Sequence, residues 1–150
     1  MSESFRHNLR VRYNECDPQG VVFNANYLTY FDLAMSELWR ELGGYQAMVD
    51  AGVDMVVAEA TIRYLAPLRF DDEIEVVARI TRLGETSMTT ELVIEESGEP
   101  AAEGKLRHVF VETVAGRRRP SPSRFARAWR AMCRRNRSDI GSTRARPRPV

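Results

Sequence analysis

The chain has 150 residues, 43% hydrophobic and 29% charged, a composition that suits one packed, soluble domain. No apolar run approaches the ~20 residues of a membrane span, Met1–His7 lacks a secretory apolar core, and two distant cysteines, Cys16 and Cys133, argue against a disulfide framework, so a cytoplasmic location is expected. The net charge of +1 divides into −10 over residues 1–116 and +11 over residues 117–150, where twelve arginines face Asp139 alone: an acidic body with a basic tail.

Residues 5–13 alternate, with Phe5, His7, Leu9, Val11 and Tyr13 on one side and Arg6, Asn8, Arg10 and Arg12 on the other. Period two predicts a half-buried strand, in which His7 is a structural histidine. The strand runs toward Asp17. Pro18 and Gly20 break regularity there, and Val21–Phe23 are expected to tuck the loop inward.

Residues 25–42 carry Tyr27, Leu28, Phe31, Ala34, Met35, Leu38 and Leu42 at three- and four-residue steps, the stripe of an amphipathic helix. Tyr30 and Trp39 widen it enough for a helix wrapped by a sheet. Asn24 is the candidate N-cap and Gly43-Gly44 the stop. After a connecting stretch with room for one helical turn come four strand-like runs, 55–65, 73–83, 86–95 and 101–114. In the first, Ala58, Ala60, Ile62 and Tyr64 are expected on one face and Val57, Glu59, Thr61 and Arg63 on the other. Ile74, Val76, Ala78 and Ile80, then Met88, Thr90, Leu92 and Ile94, mark the inner faces of the next two. Ser97-Gly98-Glu99-Pro100 signals a hairpin. Strand, long helix, then four hairpin-spaced strands is an α+β pattern: an antiparallel sheet curved around one helix.

From Pro120 the composition shifts. Ser123 caps a predicted short basic helix over 124–135, striped by Phe125, Trp129, Met132 and Cys133; residues 136–150 are expected to be disordered. Residues 1–120 are thus the folded domain and 121–150 a basic appendage, expected to pack its aromatic stripe on the acidic body. Contact with acidic partners, nucleic acid or lipid, or help in holding coenzyme phosphates, are its alternatives.

The stretch Arg12-Tyr13-Asn14-Glu15-Cys16-Asp17-Pro18-Gln19-Gly20-Val21-Val22-Phe23-Asn24-Ala25-Asn26-Tyr27-Leu28 resembles the signature of the 4-hydroxybenzoyl-CoA thioesterase family of hotdog-fold proteins. Ala60-Thr61-Ile62-Arg63-Tyr64-Leu65-Ala66-Pro67 and Asp71-Asp72-Glu73 extend the likeness, which covers roughly residues 5–116. The resemblance implies a hotdog fold, five antiparallel strands around one long helix, and the hydrolysis of acyl-CoA thioesters at a site on a dimer interface, with dimers that often pair into tetramers. It further implies that Asp17 is the catalytic carboxylate and that the main-chain N–H of Asn24 polarises the thioester carbonyl. Asn24 stands where many members, notably those associated with the Tol–Pal system, carry His; a side-chain role is lost, while the main-chain role survives.

The chemistry is self-consistent. A thioester is already activated, so a carboxylate that attacks it or serves as general base on water suffices beside an oxyanion-binding helix end. The bland alternative for Asp17-Pro18 is a simple Asx turn. Tyr27, Asp32, Glu59 and Thr61 are candidates for the acyl pocket, with Asp32 reaching a partner's; Arg82 and Ser87, flanking the Gly84 turn, are candidates for phosphate or pantetheine contacts. A Cys16–His nucleophile pair has no supporting motif. No metal or cofactor is expected, since coenzyme A belongs to the substrate and no Cys/His cluster or phosphate loop appears. The partners expected are the acyl-CoA and further copies of the chain as homodimer or homotetramer, with neither nucleic acid nor a membrane span. The rival function is a non-catalytic domain that binds acyl-CoA.

Overall fold

A computed structural model describes residues 4–112. In chain order these form β1 (Phe5–Arg10), a 3-10 turn (Tyr13–Glu15), α1 (Asn26–Glu41), α2 (Tyr45–Asp50), β2 (Val53–Tyr64), β3 (Glu73–Leu83), β4 (Ser87–Glu96) and β5 (Glu99–Glu112). The five strands make one sheet in the order β1-β3-β4-β5-β2, every neighbour antiparallel. The predicted helix over 124–135 and Cys133 lie outside the described residues.

The inner face of the sheet is set by period two. Ile74, Val76, Ala78 and Ile80 on β3, and Met88, Thr90, Leu92 and Ile94 on β4, are buried as expected. They close on Tyr27, Tyr30, Phe31, Ala34, Met35 and Leu38 of α1. A fully buried aliphatic or aromatic side chain contributes ~1.5–3 kcal/mol, so α1 is held by its stripe rather than by helix propensity. Gly43 and Gly44, at φ 118° and 90°, end the helix; the Gly44 N–H reaches back to the Trp39 carbonyl at 2.8 Å. Ser97 and Gly98, both at positive φ, turn β4 into β5.

Three expectations are corrected. Asn24 is not the N-cap: Ala25 holds that position without a side-chain cap. Asn26 instead sends its amide back to the Glu15 carbonyl at 2.8 Å, so tertiary contact replaces local capping. Tyr13 leaves the inner face, 81% exposed, because the strand pairing ends at Arg10 and the chain coils into the 3-10 turn. On β2 the register slips between Val57 and Glu59, a bulge centred on Ala58. Met55 and Val57 therefore pair with inward Phe110 and His108, while beyond the bulge Ala60 and Ile62 take over that face.

Candidate functional site at the start of the central helix

The loop between the 3-10 turn and α1 is a small hairpin. Cys16 and Val22 form an isolated bridge, the Asp17 N–H donates to the Val21 carbonyl at 2.9 Å, and the Gly20 N–H donates to the Asp17 carbonyl at 2.9 Å. Gly20 sits at φ 78°, which suits glycine. Val22 is buried and donates its N–H to the Leu68 carbonyl at 2.8 Å; Val21 is half-buried and bridges Arg69. Phe23 stays exposed, so of the three apolar residues only the first two turn inward.

Asp17 is half-buried on this hairpin. Its Oδ1 accepts the Gln19 N–H at 2.8 Å. That is the Asx turn, and it also fixes the carboxylate's direction and leaves Oδ2 without a protein donor among the described residues. Cys16 is a free thiol packed on the core.

Glu15, which sequence reasoning passed over, welds hairpin to helix. Its carbonyl accepts from the Phe23 N–H at 2.9 Å and from the Asn26 amide, and its Oε2 accepts from the Tyr30 hydroxyl at 2.7 Å and the Arg12 N–H at 2.8 Å. Burial, then the bond to Glu15, pushes the Tyr30 phenol far above its ordinary range, so it stays a donor. No local motif announces this link, because its partners lie eleven and fifteen residues away.

At the helix start the Asn26 N–H donates to the Phe23 carbonyl at 2.9 Å and the Tyr27 N–H to the Asn24 carbonyl at 3.4 Å. The N–H groups of Asn24 and Ala25 have no acceptor among the described residues. The Tyr64 hydroxyl donates to the Asn24 carbonyl at 2.9 Å and clamps this turn to β2. Tyr64 also meets Tyr27 edge-on, ring centroids 5.0 Å apart. Burial, first among several causes, raises the Tyr27 phenol. Beside the turn lies an apolar groove of about 320 Å³ lined by Val21, Val22, Asn24, Tyr27, Tyr64 and the 65–67 segment. Asn24 and Tyr27 thus meet in one groove; Asp17 stands on the hairpin behind it, joined through Val21.

The other candidates lie elsewhere in a single chain. Glu59 and Thr61 pair with Arg107 and Lys105 on the sheet face turned away from α1, and Glu59 takes an ion pair from Arg107 at 3.2 Å. Asp32 is exposed on α1 and its charge faces His108 of β5. Arg82 and Ser87 flank the β3–β4 turn. At about 3.3 Å per residue, that turn is ~30 Å along β3 from the end that meets the Asp17 hairpin. His7 is half-buried and stacked on Phe5. Among the described residues no three His, Cys, Asp or Glu side chains gather as a metal set, and no helix is long and apolar enough to cross a membrane.

Comparison with known proteins gives the family. Residues 19–101, more than half of the chain, match the thioesterase superfamily model. The chain belongs to the thioesterase superfamily. Acyl-CoA thioester hydrolase YbgC of Escherichia coli is 31% identical over 120 residues, 79% of this chain and 90% of that protein. A putative esterase of Aquifex aeolicus is 31% identical over 109 residues, 72% of this chain and 85% of its own length. Among solved structures, a thioesterase from Thermus thermophilus complexed with coenzyme A and zinc superposes with a TM-score of 0.75 at 31% identity, covering 85% of this chain and 92% of that one. The fold is the hotdog of these thioesterases, and the chain is a thioesterase, a hydrolase of thioesters.

Proposed function

We propose that this thioesterase hydrolyses an acyl-CoA thioester to the free acid and coenzyme A, with Asp17 as the reacting carboxylate. The observation that carries this reading is the pair of unclaimed N–H groups at Asn24 and Ala25, beside an apolar groove and one hairpin turn from an oriented carboxylate. The acyl carbonyl oxygen would take those N–H groups at the positive end of α1 as it becomes an oxyanion. A single such donor is typically worth about 3–4 kcal/mol of barrier. Asp17 Oδ2 would either add to the acyl carbon, forming an anhydride that water then cleaves, or take the proton of the water that adds. In both routes the C–S bond breaks, the coenzyme leaves as thiolate and is protonated, and water supplies the acid's new oxygen.

A homodimer belongs to the same proposal. β2 is a twelve-residue edge strand with Val56, Val57 and Tyr64 substantially exposed, as is Leu65 just past its end. Antiparallel pairing of two β2 edges about a two-fold axis would extend the sheet and hide them. It would also carry the partner's β3–β4 turn, with its Arg82 and Ser87, toward this chain's helix start. That gives the phosphate and pantetheine candidates a route to the site which one chain denies them. Asp32, on the α1 side of the sheet, would then be free to contribute to the neighbouring pocket, whereas Glu59 and Thr61 stay on the outer face and away from it. A cytoplasmic setting fits the free Cys16.

The Asx turn at Asp17 favours one rival, a binding module whose aspartate only shapes a loop. Thiol release from a panel of acyl-CoAs, compared for wild type and Asp17→Asn, separates the two. We expect turnover to fall by orders of magnitude with folding and acyl-CoA binding kept; tight binding without release by the wild type would establish the rival. Asn24→Ala should retain most of the turnover, since the N–H belongs to the main chain.

A further inference from the structure

Among the described residues, the tyrosines aside, two polar side chains are buried between sheet and helix. Thr90 is fully buried and His108 is 6% exposed. The register sets Thr90 opposite Leu106 and Met88 opposite His108, so Thr90 on β4 and His108 on β5 are diagonal neighbours on the face that meets α1. Neither Thr90 Oγ1 nor His108 Nδ1 touches solvent or has a hydrogen-bond partner among the described residues. The His108 ring is held edge-on by Trp39, centroids 5.6 Å apart at 88°.

A buried orphan left unmet is costly, and folded interiors meet nearly all of them. Here the two lie side by side, so one small group can satisfy both. The gap fits: diagonal neighbours are about 7–8 Å apart at Cα and nearer at their side-chain tips, and an oxygen bridging two hydrogen bonds of about 2.8 Å spans ~5.6 Å. The required group must accept from the threonine hydroxyl, or donate to it, and must donate to an imidazole nitrogen. Burial favours the neutral ring despite the opposing pull of Asp32 from α1, and in the tautomer with its proton on Nε2 the orphaned Nδ1 accepts. Both atoms are sealed from the surface, which favours a resident molecule over an arriving ligand.

We propose that Thr90 and His108 hold a single buried water beneath α1, a bridge between β4 and β5 at the level of Asp32 and Trp39. It fixes the His108 ring against Trp39 and so sets the height at which the middle of α1 rides over the sheet.

The test is a high-resolution structure of the unliganded protein together with a double-mutant cycle. We expect an ordered water within about 2.6–3.2 Å of both atoms. Thr90→Ser should retain it and Thr90→Val should lose it. Thr90→Val and His108→Phe should each lower the thermal midpoint by about 2–6 °C, whereas the double variant should fall by much less than the sum, because no orphan remains. Additive losses would overturn the proposal. So would a site without density in which the Thr90 hydroxyl bonds a main-chain carbonyl, or one filled only when a hydroxylated acyl ligand is bound. If His108→Phe does not fold, the loss of the water in Thr90→Val decides alone.

Discussion

Glu15 shows how much of a site can depend on a residue with no chemistry of its own. Its carboxylate receives the Tyr30 hydroxyl and its carbonyl receives Phe23 and Asn26, so the hairpin bearing Asp17 cannot shift without breaking contacts on α1. Tyr30→Phe should therefore cost about 1–3 kcal/mol of stability, read as a lower thermal midpoint, and should lower kcat because Asp17 loses its fixed position. Asp17 was legible from sequence as a carboxylate between a strand-like run and a helix. Glu15 was not, because helical periodicity says that Tyr30 is buried but not what its hydroxyl finds there. His108 yields a pH prediction. Its folded pKa lies below the unfolded value of about 6.5, so below that value the unfolded chain binds a proton that the folded chain refuses. Its contribution is whole above pH ~6.5 and is lost as pH falls toward the folded pKa. Denaturant melts of wild type and His108→Phe at about pH 7.5 and 5.5, either side of that value, should show the wild type losing more on acidification, and equal losses would exclude this assignment.

Among the elements, β3 was legible in its bounds and inner face, since its alternation holds from Glu73 to Ile80, before the register slips at Arg82, and its turns carry clear punctuation. β2 was legible as a strand but not as a pair of faces. One extra residue at Ala58 reverses which side chains look inward, and no propensity marks the position of a bulge. The helix start was legible as a place but not as a mechanism: Asn24 has the residue type of a cap and does not cap. A closer constraint sits at Gly104 on β5. A Cβ there would lie 2.5 Å from the Phe31 ring and 2.6 Å from the Thr61 carbonyl, which brings α1 down onto the sheet where β5 meets β2. Gly104→Ala should destabilise the fold by about 1–3 kcal/mol through overpacking. Gly98→Ala has open space around it but a positive φ, and should cost only the strain of that turn. Urea melts of the two variants would rank them.

At the scale of the whole molecule, charge is arranged by face. The outer side of the sheet carries the ion pairs Arg63–Glu103, Arg79–Glu91, Lys105–Glu91, Arg107–Glu59 and Arg6–Glu75, all exposed or half-exposed. Such pairs add little stability individually, but cross-strand alternation of sign avoids like-charge rows. The fold class was readable from the order of elements alone; the fate of the sheet's edges was not, since a single sequence does not place a second copy. If β2 joins two copies, Val57→Lys should shift the elution volume in size-exclusion chromatography to that of a monomer and abolish turnover while the far-UV spectrum persists. A monomer that still turns over at the wild-type rate would separate the site from the dimer.

The long bare edge of β2 also bears on how the catalyst behaves in a test tube. If that edge brings in the second copy that completes the site, the active form is a product of mass action, and the rate per chain becomes a function of how crowded the sample is. Serial dilution should make each molecule poorer at its work, with a lag on mixing as halves find one another.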